Sequence, residues 1–399
     1  MEALQTKEQI DMNPTAPEHH ETFVLSGDHH HLIPNPQSKK LVIFFTATGA
    51  APKSFNWWRV GNNIVDEASV LFVNGWSNTW YQDGVKSIAP TLEQTIEQLK
   101  EWGTQNGITE IYCTGQSMGG YGALLFSALL NGKAMAFGAE TVLGLPHSQY
   151  ERKANKDVPV LYPDLSKAFP DTLDALLLAG ERDPIDLFCA SKMMKINGVQ
   201  IKTMRYVGHG PAGHLRNRDR LEPLLRKWIT GAPIPSFPEV GFALDRPEFP
   251  EPFYKGWCAL RDGNFTKAAT LLKKAVRLYP ASDEARFLYA EALSGLENFE
   301  GALEQYSTSF SISNRKEARL GAAMALRRLG SVWEALYTHG QIVKEWPDYG
   351  AAWYSMGLCY LKLGRLDKAT MPFRRAVELE PRNQTYAKRL AISLRQTPK

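Results

Sequence analysis

The stretch Ile111–Gly120 (IYCTGQSMGG) decides how the first half of the chain is interpreted. A β-rich, apolar run passes through Gly-Gln-Ser-Met-Gly directly into a helical pattern over residues 121–130. A G-x-S-x-G sequence between a strand and a helix places its serine on a sharp, strained turn and presents the hydroxyl group to a base. The residues two positions away on each side must be small, and Gly115 and Gly119 are. The stretch therefore predicts Ser117 as a nucleophile.

Apolar strands alternate with helical patterns on both sides of this stretch. The runs Leu41–Thr46 and Ala68–Val73 are continuously apolar, which is typical of parallel strands that are covered on both faces. Further strands are predicted at 134–139, 174–179 and 199–207, and helices at 93–107, 184–196 and 219–229. The alternation predicts an α/β fold, a doubly wound and mostly parallel sheet with crossover helices.

Composition indicates a globular protein of two domains, since 399 residues exceed one ordinary domain and 44% are hydrophobic. The net charge of +4 is small and its basic residues are scattered, so no nucleic-acid partner is predicted. No run reaches the length of a membrane span. Residues 1–20 are expected to form a flexible leader without the apolar core of a signal peptide.

Four cysteines lie far apart in apolar or helical surroundings: Cys113, Cys189, Cys258 and Cys359. They have the spacing of neither a disulfide framework nor a C-x-x-C metal site. We expect buried free thiols in a reducing compartment, and therefore a cytoplasmic protein.

The run His29–His31 is interpreted as a solvated turn rather than a metal site, because adjacent strand residues face opposite ways. No metal and no cofactor is expected.

Prolines are concentrated between residues 230 and 252, where six occur. Proline at this density stops helices and favours extended chain, so we place a linker at 232–252. Beyond it, alanine recurs at 268, 302, 335 and 369, with steps of 34, 33 and 34 residues. With Trp353, Gly357 and Pro381, the last unit reproduces the tetratricopeptide pattern.

Residues 253–399 therefore resemble an all-α tetratricopeptide repeat (TPR) solenoid of four units with a terminal capping helix at 383–395. Such an array implies a protein or peptide partner on its inner face. The alternative is that the repeats only stabilise, dimerise or shield the first domain.

Residues 21–231 resemble the α/β-hydrolase fold, since the serine turn is followed by an acid and a histidine in that family's order. The family's acid follows a later strand, and here 176–183 ends with Gly-Glu-Arg-Asp. The resemblance implies Asp183 as the acid, a role compatible with capping the helix that begins at Pro184. Asp186 is the reserve and is otherwise expected to be a surface acid in the helix's first turn.

Two histidines compete for the role of base. His209 directly follows the last predicted strand in a Gly-His sequence, whereas His214 comes five residues later. The position at the strand end favours His209, and His214 stays open as the alternative base.

The oxyanion donors are the backbone amides that would bind the negatively charged oxygen of the reaction intermediate. The Met118 amide begins the helix after the nucleophile and is the first such donor. The resemblance implies a second donor in the loop after the first central strand, where Thr48 or Ala47 qualifies although the family's usual His-Gly is lacking.

Residues 144–170 are irregular and suggest a small cap over the active edge, or a plain surface crossover. Among the aromatic residues around the site (Trp57, Trp58, Trp76, Trp80 and Tyr81), at least half are expected in the core, and the others could stack on a substrate.

Together these features predict a serine hydrolase, an esterase or deacylase that acts on a small acyl ester or acylated substrate through a Ser-His-Asp triad. Acyl transfer to a sugar or alcohol acceptor is an open alternative, since water and an alcohol compete for one acyl-enzyme. A non-catalytic hydrolase fold that serves as a scaffold is the alternative from another class.

Overall fold

A computed structural model describes residues 23–396 of the chain. The expected leader at 1–20 lies outside the described residues. The first half forms a sheet of seven strands: β1 His30–Ile33, β2 Lys40–Phe45, β3 Ser69–Val73, β4 Glu110–Gln116, β5 Lys133–Phe137, β6 Thr172–Gly180 and β7 Asn197–Met204. Their order across the sheet is β1-β3-β2-β4-β5-β6-β7. Strand β1 is antiparallel to β3, and the other neighbours are parallel. The mostly parallel α/β sheet is confirmed.

Eight helices belong to this half as the structure describes it: α1 Trp58–Asn62, α2 Leu92–Gln105, α3 Met118–Leu130, α4 Gln149–Lys153, α5 Leu165–Ala168, α6 Pro184–Met193, α7 Pro211–Arg216 and α8 Leu221–Thr230. A single 3₁₀ turn, Trp76–Asn78, follows β3. The two faces of the sheet carry separate apolar cores. Helices α2 and α3 cover one face, whereas α1, α7 and α8 cover the other. Strand β4, which leads to Ser117, is central and buried between them.

The strand order reverses between β2 and β4, because the chain proceeds outward from β2 to β3 and then returns to the other side of β2. In open α/β sheets, ligand sites lie beyond the carboxyl ends of the strands at such a switch point. Ser117 follows β4 and the Thr46–Ala50 loop follows β2, so the two flank this position.

Near the start of the described chain, Ser26 and His31 form an isolated antiparallel bridge, and β1 begins at His30. His30 is buried, and its ring bonds to Ser87 Oγ (2.8 Å) and the Val24 carbonyl (2.6 Å). The solvated turn predicted for His29–His31 is therefore wrong at His30, because the edge strand turns that ring into the protein.

The second half, as described, consists of nine helices: α9 Pro250–Arg261, α10 Phe265–Leu278, α11 Asp283–Gly295, α12 Phe299–Ser313, α13 Lys316–Leu329, α14 Val332–Glu345, α15 Gly350–Lys362, α16 Leu366–Leu379 and α17 Gln384–Gln396. Helices α9–α16 form four consecutive hairpins, and α17 packs on the last of them. Ala268, Ala302, Ala335 and Ala369 are all fully buried, as the repeat pattern requires.

The proline-rich segment is extended but packed. Its Arg205–Glu239 and Thr203–Gly241 backbone hydrogen bonds run along β7, and a 3₁₀ turn follows at Ala243–Asp245. Phe237 and Phe249 are buried. The segment that joins the two halves is therefore hydrogen-bonded and packed against the protein rather than a flexible linker. No helix within 23–396 is long and apolar enough to cross a membrane.

The four cysteines, all within the described range, are free, with Cys258 half-buried and the others buried. Of the five aromatic residues near the site, Trp57, Trp80 and Tyr81 are buried, whereas Trp58 and Trp76 are partly exposed. Most of this aromatic set therefore belongs to the core.

Candidate active site

Ser117 occupies the turn between β4 and α3 with φ 58° and ψ −123°. Positive φ is unusual for a residue with a side chain and indicates local strain. The turn is tight, since a Cβ at Gly119 would lie 2.2 Å from the Phe45 carbonyl oxygen and one at Gly115 would lie 2.3 Å from the Gly119 oxygen. Only glycine fits at these two positions, which is the steric requirement predicted from the sequence.

The structure brings His209 to Ser117. The ring nitrogen Nε2 lies 2.8 Å from Ser117 Oγ, and Nδ1 lies 2.8 Å from Asp186 Oδ1. His209 sits in the loop between β7 and α7, which brings its ring to the Ser117 turn. The two contacts form a continuous hydrogen-bonded chain from hydroxyl to imidazole to carboxylate.

Asp186, and not Asp183, completes this chain. Asp183 Oδ2 is 3.8 Å from the His209 ring nitrogen, beyond hydrogen-bond range, and its Oδ1 accepts from the Ile185 (3.0 Å) and Asp186 (2.9 Å) amides. Asp183 therefore caps α6, and the carboxylate that hydrogen-bonds to His209 belongs to Asp186 rather than to the predicted Asp183. The expectation of a surface position for Asp186 is also wrong, since that residue is 1% exposed.

His214 is engaged elsewhere. Its Nε2 lies 3.2 Å from Glu239 Oε1, and Arg218 approaches its other ring nitrogen. Glu239 belongs to the proline-rich segment, so His214 helps to hold that segment against α7. The His214 ring therefore contacts Glu239 and Arg218, whereas the His209 ring contacts Ser117 and Asp186.

A second buried carboxylate, besides that of Asp186, lies near His209. Glu140, 1% exposed, accepts hydrogen bonds from the Gln149 and Tyr150 amides at 2.6 and 2.9 Å and so holds the start of α4. Residues 144–170, the predicted cap, contain α4 and α5, and Tyr121 donates a hydrogen bond to the Tyr162 carbonyl within them. Residues 144–170 are thus hydrogen-bonded both to Glu140 and to helix α3, which begins directly after Ser117.

The electrostatics of the cluster favour a protonated imidazole. The Asp186 carboxylate raises the pKa of His209 above its ordinary value, and Asp183 and Glu140 act in the same direction. Burial raises the pKa of Asp186, and the neighbouring Asp183 adds to that effect. Burial likewise raises the pKa of Glu140.

Two asparagines fix the loop after β2. Asn56 Oδ1 accepts from the Ala47 amide at 2.8 Å, and Asn78 Oδ1 accepts from the Gly49 amide at 2.9 Å. Within the described residues, the Thr48 amide between them has no protein acceptor. Met118 is the first residue of α3, where backbone amides have no partner inside the helix. Sequence reasoning missed Asn56 and Asn78, because asparagine is common in loops and no motif marks these two.

A cavity of about 200 Å³ lies beside the turn that carries Ser117. It is lined by the loop after β2, the residue that precedes Ser117 and the start of α7: Ala47, Asn56, Trp57, Gln116, Ala212 and Gly213 among others. The cavity therefore borders the segments that carry the serine, the histidine and the Thr48 loop.

Asp183, Asp186 and His209 are also the one group in the described chain with the spacing of a metal site, their nearest ligand atoms lying within 4.8 Å of one another. Both ring nitrogens of His209 are already hydrogen-bonded within the protein. The two His209 nitrogens that could bind a metal ion are therefore hydrogen-bonded to Ser117 and Asp186.

Comparison with known families identifies the second half. Two tetratricopeptide repeat profiles match, over residues 259–326 and 350–383. The second half is a tetratricopeptide repeat region. The repeats predicted from the sequence are therefore confirmed, and neither match extends into the sheet that carries Ser117.

The chain is also similar to solved tetratricopeptide structures. MamA from Desulfovibrio magneticus is 23% identical over 35% of this chain and 78% of its own, with a TM-score of 0.32. YrrB, described as a TPR protein with an unusual peptide-binding site, is 20% identical over 44% of this chain and 87% of its own, with a TM-score of 0.33. A TPR protein from Thermus thermophilus is 18% identical over 46% of this chain and 95% of its own, with a TM-score of 0.34. A comparison with curated proteins gave no match.

Proposed function

We propose that the first half of the chain is a serine hydrolase of the α/β-hydrolase class, acting on carboxylic esters or acylated substrates. One observation carries this proposal: two 2.8 Å contacts join Ser117 Oγ to His209 and His209 to the buried Asp186, with the serine on a strained turn. The parallel sheet, with the nucleophile after its central strand, supports the same assignment.

In the proposed reaction, the neutral His209 ring accepts the Ser117 proton as the serine oxygen attacks an acyl carbonyl. Asp186 holds the ring in the tautomer that presents a free lone pair at Nε2, and it stabilises the imidazolium that forms. The proton then passes from His209 to the leaving group. Water, activated by the same ring, hydrolyses the acyl-enzyme.

The proposed oxyanion donors are the backbone amides of Met118 and Thr48. Met118 lies at the amino end of α3, where the helix dipole favours negative charge. The Thr48 assignment rests on its neighbours, since Asn56 and Asn78 occupy the amides on either side. The cavity of about 200 Å³ bordered by Ala47 and Gln116 is the proposed space for the acyl group.

Tetratricopeptide repeats are protein-interaction modules, and they imply a protein or peptide partner for the second half. A cavity of about 490 Å³ lies on one face of the array, between α11, α12 and α13. Its lining is mixed, with Phe287, Tyr306 and Met324 beside Glu317 and Arg328. We propose this face for the partner.

Labelling with a fluorophosphonate probe tests the hydrolase proposal, because such probes react with activated serines. The wild-type protein should label, Ser117→Ala and His209→Ala should not, and His214→Ala should label like the wild type. If a folded wild-type protein fails to label and also fails to hydrolyse p-nitrophenyl acetate, the hydrolase proposal is refuted.

A further inference from the structure

The loop that leads to Asp186 is pressed against the loop that carries His209. A Cβ at Gly180 would lie 2.1 Å from the Gly208 carbonyl oxygen, and the Arg182 amide donates to the Val207 carbonyl at 2.9 Å. A displacement of residues 180–186 would therefore change the relative position of the acid and the base.

The opposite side of this loop is held by the tetratricopeptide region. Glu181, 6% exposed, accepts from the Tyr279 hydroxyl at 3.1 Å through Oε2. Its Oε1 accepts from Thr203 Oγ1 and from the Ala243 amide, both at 2.8 Å. One buried carboxylate thus joins the last strand, the proline-rich segment and the end of the first repeat unit.

The next residue makes a second link. Arg182 donates to Asp283 Oδ2 through Nε (2.8 Å) and Nη2 (2.5 Å), and the Asp283 side chain is only 6% exposed. Asp283 is the first residue of α11. Charge-assisted hydrogen bonds in a partly buried setting are among the stronger polar contacts in proteins.

Apolar packing completes the junction. Leu187 belongs to the core of the first repeat unit together with Phe253 and Leu272. Phe188 stacks on Tyr254 with ring centroids 4.7 Å apart. Helix α6 carries Asp186 in its first turn. Its Leu187 and Phe188 side chains therefore pack in two apolar clusters shared with the repeat region.

We propose that the amino end of the tetratricopeptide region is a positioning part of the catalytic site, in which Tyr279 at the end of the first repeat unit and Asp283 at the start of the second fix the 180–186 loop so that Asp186 meets His209. Neither residue touches the reacting atoms. The inference rests on the proposed function and deepens it, since it makes catalysis depend on the region proposed to bind a partner protein.

Two matched pairs of variants separate positioning from general stability. Tyr279→Phe removes the hydroxyl bonded to Glu181, whereas Tyr112→Phe removes a hydroxyl bonded to Glu110 at the start of β4, away from the junction. Both tyrosines are buried. Asp283→Asn weakens the link to Arg182, whereas Glu284→Gln weakens the neighbouring link to Arg315, which stays within the repeats.

Each full-length variant is assayed with p-nitrophenyl acetate across a pH series. Tyr279→Phe and Asp283→Asn should lower kcat about 10-fold with little change in KM, because a misplaced catalytic group affects the transition state most. The acid limb of their pH profiles should also move to lower pH, since His209 loses part of its contact with Asp186. Tyr112→Phe and Glu284→Gln should leave kcat and the acid limb of the pH profile unchanged.

Nitrogen-15 spectra of the histidine rings, with His209 assigned from His209→Ala, give a readout independent of activity. The pKa of His209 should fall in Tyr279→Phe and Asp283→Asn and stay at the wild-type value in the two controls. An unchanged His209 titration in the folded junction variants, or an equal change in the controls, overturns the positioning role. If the wild-type protein has no hydrolase activity, the hydrolase proposal fails and the ring titrations still decide whether the repeat positions the acid.

Discussion

Asp183 and Asp186 lie three residues apart at the start of one helix, and the structure gives them different tasks. Asp186→Asn should lower kcat by roughly 10⁴-fold, because an amide no longer fixes the His209 tautomer. Asp183→Asn should have a much smaller effect, since asparagine caps a helix about as well as aspartate. Ester hydrolysis by the two purified variants measures this difference, and a larger loss in Asp183→Asn would restore Asp183 as the acid.

The pH dependence of hydrolysis follows from the charge around His209. The imidazole must be neutral to accept the serine proton, so activity is lost as the pH falls through the pKa of His209. Asp186 raises this pKa above the ordinary 6.5, so the acid limb of kcat/KM is expected above pH 6.5. In Asp186→Asn the residual activity should have its acid limb at lower pH. Rates measured between pH 5 and pH 10 at constant ionic strength check the sign, and an acid limb below 6.5 in the wild type would contradict it.

Ser117 and the geometry of its turn could be predicted from the sequence, because the glycine spacing is itself the steric requirement. His209 could be chosen over His214 from its place at a strand end, and the structure places it on Ser117. The acid could not be chosen in this way. Both aspartates lie at the start of the same helix, and they differ only in the direction of the side chain. Asp183 caps the helix and Asp186 reaches the His209 ring, and the spacing of residues in the sequence does not reveal this difference.

At the level of elements, the strand–turn–helix around Ser117 leaves no room for side chains at Gly115 and Gly119. Gly119→Ala would place a methyl group 2.2 Å from the Phe45 carbonyl oxygen, so the turn must shift. We expect destabilisation of about 1–3 kcal/mol and loss of labelling at Ser117. The control is Gly340→Ala within α14, where an added Cβ meets nothing within 4 Å. Urea unfolding and probe labelling check both, and a Gly119→Ala protein that labels like the wild type would show that the turn can relax.

Helix α14 contains an unusual core residue. His339 is fully buried, and neither ring nitrogen has a partner in the described structure. By its spacing from the repeated alanine, it occupies the position held by Leu272, Tyr306 and Phe373 in the other units. Burial lowers the pKa of His339 to about 4.

A neutral histidine in the fold implies sensitivity to acid. The unfolded chain takes up a proton near pH 6.5, but the folded one does so only near 4, so stability falls as the pH drops through this interval. The loss attributable to His339 should approach about 3 kcal/mol at its lower end. His339→Leu should remove it. Urea unfolding of both proteins at pH 4.5 and pH 7.5 measures the effect, and parallel losses in the two would exclude His339 as the source.

At the level of the whole molecule, the two-part organisation could be predicted from two periodicities, a strand–helix alternation followed by a repeat of about 34 residues. The contacts between the two halves of the chain could not be predicted. Composition shows that the proline-rich segment interrupts the helices, but not that its residues 239–241 hydrogen-bond alongside β7, nor that Glu181 and Arg182 bind the first two repeat units. These contacts join residues about 100 positions apart, and no local pattern encodes them.

Two truncations test how far the first half depends on this junction. Removing residues 316–399 keeps Tyr279, Asp283 and the core around Leu187, so hydrolysis should persist. Removing residues 246–399 leaves Arg182 without its carboxylate and exposes Leu187 and Phe188, which should cost activity and solubility because an apolar helix face then meets water. Activity per folded molecule, with folding judged by circular dichroism, separates the two proteins. Full activity in the shorter protein would mean that the sheet and its loops hold Asp186 in place without the repeats.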